Sequence, residues 1–302
     1  MKKLNFGAER LIGKTPILRL FGVEKYFGLG SRIFAKWEAG NLTGSVKDRA
    51  ACFMLRSSER EGKLTSGGTV VEATSGNLGI SIAALCSAMG YKSHIVMPKS
   101  SPSSRKKLIE SYGGQVILTD GGMTEAVTLA RSISAEISDS LYLDQFNNPH
   151  NALAHFYGTG VEIYNQMQSQ VDIFVCGVGS SGSFSGIGRL LKNKNPDVKL
   201  IAVEPSESAV LSGGVAGSHK IYGIGAGFVP PLFDFDICSK IATVCYEEAE
   251  LFVKAVAKTD GLLVGISSGT VLSVAVKTAK EQENKNIVTL FADGGERYRL
   301  CR

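Results

Sequence analysis

Paired cysteines are missing from this 302-residue chain. Cys52, Cys86, Cys176, Cys238, Cys245 and Cys301 form no CxxC and no framework spacing. That argues against a disulfide-stapled scaffold and a cysteine zinc site, and the expectation is reduced thiols in a cytoplasmic protein. His94, His150, His155 and His219 show no HxxxH-type spacing, so they read as structural or surface residues and no metal is expected. No apolar stretch approaches the roughly 18 residues of a membrane-spanning helix. Met1 to Gly7 has no apolar run behind its lysines, so no signal peptide is expected. Basic runs stop at Arg105-Lys106-Lys107, and Trp37 and the tyrosines follow no stacking pattern. With a formal charge of only +5, the chain is not expected to bind nucleic acid, although a mild preference for anionic ligands is. Internal repeats and low-complexity tracts are also absent.

What is present is an ordinary globular composition, 44% hydrophobic and 20% charged, with 35 glycines of which several cluster in loops. At roughly 150 residues per domain the length suggests two domains. Short β-branched runs at 69–72, 94–97, 115–118, 171–176, 200–203 and 287–291 predict strands. Longer stretches at 48–61, 79–89, 104–112, 124–137, 184–192, 247–258 and 269–281 predict helices. Such alternation predicts an α/β protein with mostly parallel sheets. Asn147-Asn148-Pro149 breaks the pattern near the middle, and Pro230-Pro231 is the other candidate boundary.

In parallel α/β folds ligands bind where strands end and loops enter helices, and four such loops stand out. In the stretch 40–49, Lys47 lies at a helix start, where the positive end of the helix dipole favours a lowered pKa and a nucleophilic amine. Thr74-Ser75-Gly76-Asn77 follows a strand and suits a carboxylate or phosphate. Gly177-Val178-Gly179-Ser180-Ser181-Gly182-Ser183 satisfies GxGxxG. Glu204 follows at roughly the 20-residue spacing of a ribose-binding acid, so a Rossmann-type NAD-dependent dehydrogenase is a rival reading. The extra serines favour a terminal phosphate monoester over a bridging pyrophosphate. The fourth loop, Gly265-Ile266-Ser267-Ser268-Gly269, reads as a helix cap unless the others accompany it.

Taken in order, the four loops resemble the cysteine synthase (O-acetylserine sulfhydrylase) and cystathionine β-synthase family. The resemblance runs from Gly13-Lys14-Thr15-Pro16 to Gly295-Glu296-Arg297-Tyr298. It implies two three-layer α/β domains of the tryptophan-synthase-β-like type, fold type II. The smaller, mobile domain would be 40–148, and the larger 1–39 with 149–302. It implies pyridoxal 5′-phosphate held by Lys47 as a Schiff base, with Lys47 then shuttling the substrate's α-proton. Asn77 would bind the cofactor's ring oxygen, and Gly179, Ser180, Ser181, Gly182 and Ser183 its phosphate. Ser267 would face the pyridine nitrogen. Thr74, Ser75, Gly76 and Gln145 would grip the substrate carboxylate, with Leu78, Tyr222 and Gly223 also lining the substrate cleft.

The implied activity is β-replacement, making L-cysteine from O-acetylserine and sulfide by way of an α-aminoacrylate. Cystathionine formation, sulfide release from cysteine and O-phosphoserine-dependent transfer are the same chemistry with other substrates. A neutral serine at the ring nitrogen makes a weaker electron sink than a carboxylate would, favouring prompt loss of a β leaving group. The resemblance also implies a homodimer that can bind serine acetyltransferase. This chain departs from the family at Leu78, where threonine is usual, and at Tyr222, where glutamine is usual. It departs again at Ser181, where glycine is usual, a change that adds a donor to the phosphate loop and restricts its backbone.

Overall fold

The computed structural model describes residues 7–298. The expectations about Met1 to Phe6 and Cys301 lie outside the described residues. Ten strands form two sheets: β1 (Ile17–Arg19), β2 (Arg32–Trp37), β3 (Thr69–Ala73), β4 (Lys92–Pro98), β5 (Gln115–Thr119), β6 (Ser140–Tyr142), β7 (Ile173–Gly177), β8 (Lys199–Pro205), β9 (Lys240–Val244) and β10 (Asn286–Phe291). The larger sheet runs β1-β2-β10-β7-β8-β9 and the smaller β5-β4-β3-β6. Every pairing is parallel except β1 with β2. The helices are α1 (Phe21–Phe27), α2 (Lys47–Arg60), α3 (Asn77–Met89), α4 (Ser103–Ser111), α5 (Met123–Glu136), α6 (Pro149–Ala154), α7 (Val161–Gln166), α8 (Gly182–Lys194), α9 (Tyr246–Asp260) and α10 (Ile266–Glu281).

Both sheets are covered on both faces, and the strand sequences show why. Parallel strands between helix layers must be apolar at successive positions, because successive side chains point to opposite faces. Ile173, Val175, Ile201, Val203 and Ile287 pack on one face with Val253 of α9 and Leu272 of α10. Their neighbours Phe174, Cys176, Leu200, Ala202 and Val288 pack on the other with Phe184 and Ile187 of α8. In the smaller sheet Val70, Ile95 and Met97 face Met54 of α2 and Leu85 of α3. Val71, Ala73 and Val96 face Ala126 and Ala130 of α5. Each fully buried aliphatic contributes roughly 1.5–3 kcal/mol.

All six predicted strands form, with ends shifted by at most two residues. The strands not predicted are the short or polar ones, β1, β2, β6 and β9. In β2, Lys36 interrupts the apolar pattern, yet its side chain is wholly buried. Asn147-Asn148-Pro149, read as a break, is a helix start: Asn148 Oδ1 accepts from His150 N at 3.0 Å and Pro149 takes the first helical position. The helical run continues through a π-turn (His155–Gly160) into α7.

Lys36 is tolerated because a buried network receives it. Its Nζ meets Glu162 Oε2 at 2.7 Å and Thr15 O at 2.6 Å. Arg49 Nε donates to Glu38 at 2.6 Å, and Arg49 Nη2 donates to Glu162 at 2.8 Å. Burial alone would raise the Glu162 carboxyl, but the hydrogen bonds from Arg49 and Lys36 outweigh it and hold it down to about 2, against an ordinary 4.5. That stabilisation is complete above about pH 4.5 and is lost as pH falls through about 2. Glu38 is wholly buried, so Arg49→Met should cost roughly 3–5 kcal/mol by leaving it uncompensated. Urea unfolding of both proteins at pH 7 reads this directly, and a loss under 1 kcal/mol would refute it.

Candidate active site

The two sheets turn their carboxyl-terminal strand ends toward a shared cavity of about 360 Å³. The loops after β2, β3, β7 and β10 reach it, as do the first residues of α2, α3, α8 and α10. Every site residue expected from the sequence lines it: Lys47, Thr74, Ser75, Gly76, Asn77, Leu78, Gln145, Gly179, Ser180, Ser181, Gly182, Ser183, Tyr222, Gly223 and Ser267. Arg105, Asp293 and Tyr298 join them and were not expected.

Lys47 opens α2, and its neighbours hold it there. Asp48 accepts from Thr43 N at 2.7 Å and from Thr43 Oγ1 at 2.6 Å, while Arg49 is locked into the network above. Lys47 is half-buried by surface area and lines the cavity, but its amine lies deep in the fold. Burial lowers its pKa, opposed by Cys176 and Glu72. Neither opposes strongly at neutral pH, since burial pushes the Cys176 thiol up to about 12 and the Glu72 carboxyl up to about 8. The only hydrogen bond of Nζ among the described residues is to Ser180 Oγ at 3.5 Å. An amine without an acid partner, deprotonated readily, is what a carbonyl-bonding lysine requires.

Across from it, the turn between β7 and α8 presents unused donors. Among the described residues the backbone N–H groups of Gly179 through Phe184 meet no protein acceptor. A Cβ on Gly179 would lie 2.5 Å from Gly223 O, and one on Gly182 would overlap Asn151 Oδ1. Ser181 holds φ +67°, a left-handed conformation costing roughly 1–2 kcal/mol outside glycine. Its hydroxyl, expected as an added phosphate donor, pairs instead with Ser185 Oγ at 2.9 Å. Behind the turn, Asn151 Nδ2 donates to Ser180 Oγ at 2.9 Å, and His155 Nε2 lies 3.2 Å from Ser183 Oγ. Burial, then the charges of Lys47 and Arg49, keep His155 well below its ordinary pKa, so it is neutral.

The loop after β3 faces the same space. Thr74 Oγ1 accepts from Gly76 N at 3.1 Å, so the free amides here are those of Ser75, Asn77 and Leu78. Gln145 Nε2 donates to Ala73 O at 2.9 Å, which ties that side chain to the loop. Asn77 is fixed from both ends: Nδ2 donates to Asp293 Oδ2 at 2.6 Å, and Oδ1 accepts from Arg297 at 2.7 Å. Leu78 belongs to the core of the smaller sheet. Ser267, at the start of α10, makes no side-chain hydrogen bond to protein among the described residues.

The dinucleotide reading fails here. Glu204 is buried, and its carboxylate is spent on Leu211 N, Ser212 N and Ser212 Oγ at 2.7–2.9 Å, leaving no ribose ligand. The family model described as "Pyridoxal-phosphate dependent enzyme" matches residues 8–293. The chain belongs to that family. It is 40% identical to a cysteine synthase of Staphylococcus aureus over 96% of this chain and 94% of the relative. The structure of a hydrogen sulfide-producing enzyme from Fusobacterium nucleatum has a TM-score of 0.94 at 36% identity, covering 98% of this chain and all of that one. A cysteine synthase from Entamoeba histolytica has a TM-score of 0.93 at 36% identity, covering 98% and 90%.

The cavity fits the pyridoxal phosphate of this family. A buried amine with no acid partner is available for its aldehyde and a run of unpaired amides for its phosphate, and the glycines leave room where a Cβ would intrude. Sequence reasoning missed Arg105, Asn151, His155 and Asp293, because each acts from an element whose proximity exists only in three dimensions. Gly179→Ala should therefore release the cofactor on dialysis at least tenfold faster, while far-UV dichroism stays unchanged. Retention of the visible absorption band at the parent rate would contradict the fit.

Proposed function

We propose that this enzyme is a cysteine synthase, replacing the acetate of O-acetylserine with sulfide. The observation that carries the reading is the buried amine of Lys47, without an acid partner, standing between a loop of free amides and a phosphate-shaped turn. Bound there, pyridoxal phosphate supplies an electron sink for charge developing at the substrate α-carbon. Lys47 holds the cofactor and then moves the α-proton. The amides of Ser75, Asn77 and Leu78, with Thr74, Gly76 and Gln145, orient the substrate carboxylate, and Asn77 positions the ring. Gly179 to Ser183 bind the phosphate. Ser267 meets the ring nitrogen as a neutral hydroxyl, which favours β-elimination over a long-lived carbanion. Acetate leaves Cβ, and sulfide adds at the same carbon.

The reading carries with it a cytoplasmic homodimer, with residues 40–148 as a smaller domain closing on the rest when substrate binds. Among the described residues no helix is long and apolar enough to cross a membrane. Serine acetyltransferase is the proposed macromolecular partner, its C-terminal tail entering the cleft beside Tyr222 and Gly223. A second reading, release of sulfide from cysteine, is supported by the likeness to the Fusobacterium enzyme.

Absorption spectra of the purified holoenzyme test both readings. O-acetylserine should shift the visible band, sulfide should restore it, and cysteine should accumulate. Lys47→Ala should lose turnover by 10²-fold or more, the scale of a lost general base. A band that responds to cysteine and not to O-acetylserine would replace the first reading with the second.

A further inference from the structure

Arg105 stands on α4, in the smaller-sheet half, and is only 3% exposed. Its Nη1 donates to Ser75 O at 2.9 Å, the guanidinium's one hydrogen bond to protein among the described residues. A guanidinium carries five donors, and buried arginines ordinarily end on carboxylates, as Arg49 does on Glu38 and Glu162. Arg105 has no carboxylate within ion-pair distance among the described residues. Asp293, the buried acid on the same cavity wall, spends Oδ2 on Asn77 and Tyr298, each at 2.6 Å, and its Oδ1, without a hydrogen-bond partner, is not within ion-pair distance of Arg105.

The position of this cation is well defined. Its Cζ lies 5.2 Å from the centre of the Tyr222 ring and 5.5 Å from that of Tyr298, both on the larger-sheet side. A Cβ on Gly76 would overlap the guanidinium, so the cation lies directly against the 74–78 loop. The cavity wall therefore holds a buried positive charge with no direct ion-pair partner, only the longer-range field of Asp293, beside a set of neutral amides. Buried charges are normally matched, and the group that would match this one is an anion entering the cavity.

We propose that Arg105 is the charge partner of the substrate α-carboxylate. The amides of Ser75, Asn77 and Leu78 provide direction, and the guanidinium provides the charge and the remaining donors. Because Tyr222 and Tyr298 lie against the same guanidinium, a carboxylate held there touches a group that spans both halves of the molecule. The proposal rests on the β-replacement reading only in taking the ligand to be an amino acid, whatever its leaving group.

The test separates charge from bracing. Holoenzyme, Arg105→Lys and Arg105→Gln are titrated with L-cysteine and with L-cysteine methyl ester, following the visible spectrum. The lysine variant keeps the charge without the fork, and the glutamine variant keeps a donor for Ser75 without the charge. Both should retain the cofactor band. The parent should prefer the acid to the ester. Arg105→Gln should lose about 10–100-fold in acid binding, the range of a charged hydrogen bond, and change little towards the ester. Arg105→Lys should keep most of the preference. Equal loss for acid and ester in the glutamine variant, or no loss, would overturn the proposal and leave Arg105 as a brace. Failure of O-acetylserine turnover alongside a normal response to cysteine would overturn the donor assignment alone.

Discussion

Four helices begin on one cavity, and the rest of the site depends on that convergence. Parallel sheets force it: each strand delivers its carboxyl end, and the following helix its amino end, to the same side. Facing two such sheets toward each other brings the starts of α2, α3 and α8 together, and α10, which follows α9, begins on the same cavity. Each start leaves amides without intrahelical acceptors and the positive end of a dipole. The result is a space built for an anion with more than one negative group, before any particular side chain is considered. The chain's small net positive charge contributes little by comparison.

Against that background the placement of a lysine amine among helix starts is costly unless the amine gives up its proton. The structure arranges for it to do so. Nearby acids are either engaged elsewhere, as Asp48 is with Thr43, or raised by burial, as Glu72 is to about 8. The charged groups that α2 does need, Glu38, Arg49, Glu162 and Lys36, balance one another in a separate buried network. Anchoring and reactivity are thereby separated within three consecutive residues: Lys47 faces the cavity, while Asp48 and Arg49 fix the backbone that aims it.

Much of this was legible in the sequence. The six apolar runs became strands because a parallel strand covered on both faces must be continuously apolar. The four loops became the cavity because each joins such a strand, or the segment leading into a helix, to a helix start. The parts not legible were those whose sequence signals conflict with their position. Lys36 made β2 look unlike a strand, since its partners Glu162 and Gln166 are over a hundred residues away. That Asn148-Pro149 begins a helix was not legible either, because capping residues and turn residues are the same types. Arg105 stood out only as the first residue of a short basic run, yet it is buried while Lys107 is exposed. The hydroxyl of Ser181, expected as a further phosphate donor, pairs with Ser185 of α8.

The order of strands in the larger sheet bears on how the molecule comes together. β10 lies between β2 and β7, pairing with β2 residue for residue from Asn286–Arg32 to Phe291–Trp37. Contacts of that sequence separation form slowly, because the whole intervening chain must first be organised. During synthesis the four strands of the smaller sheet, all within residues 69–142, are complete long before the last strand appears. The segment carrying Lys47, which hydrogen-bonds from Val46 N to Ala292 O at 2.8 Å, cannot be seated until then. A chain cut short before residue 286 would keep an open parallel edge on both β2 and β7, the type of edge to which other chains add strands.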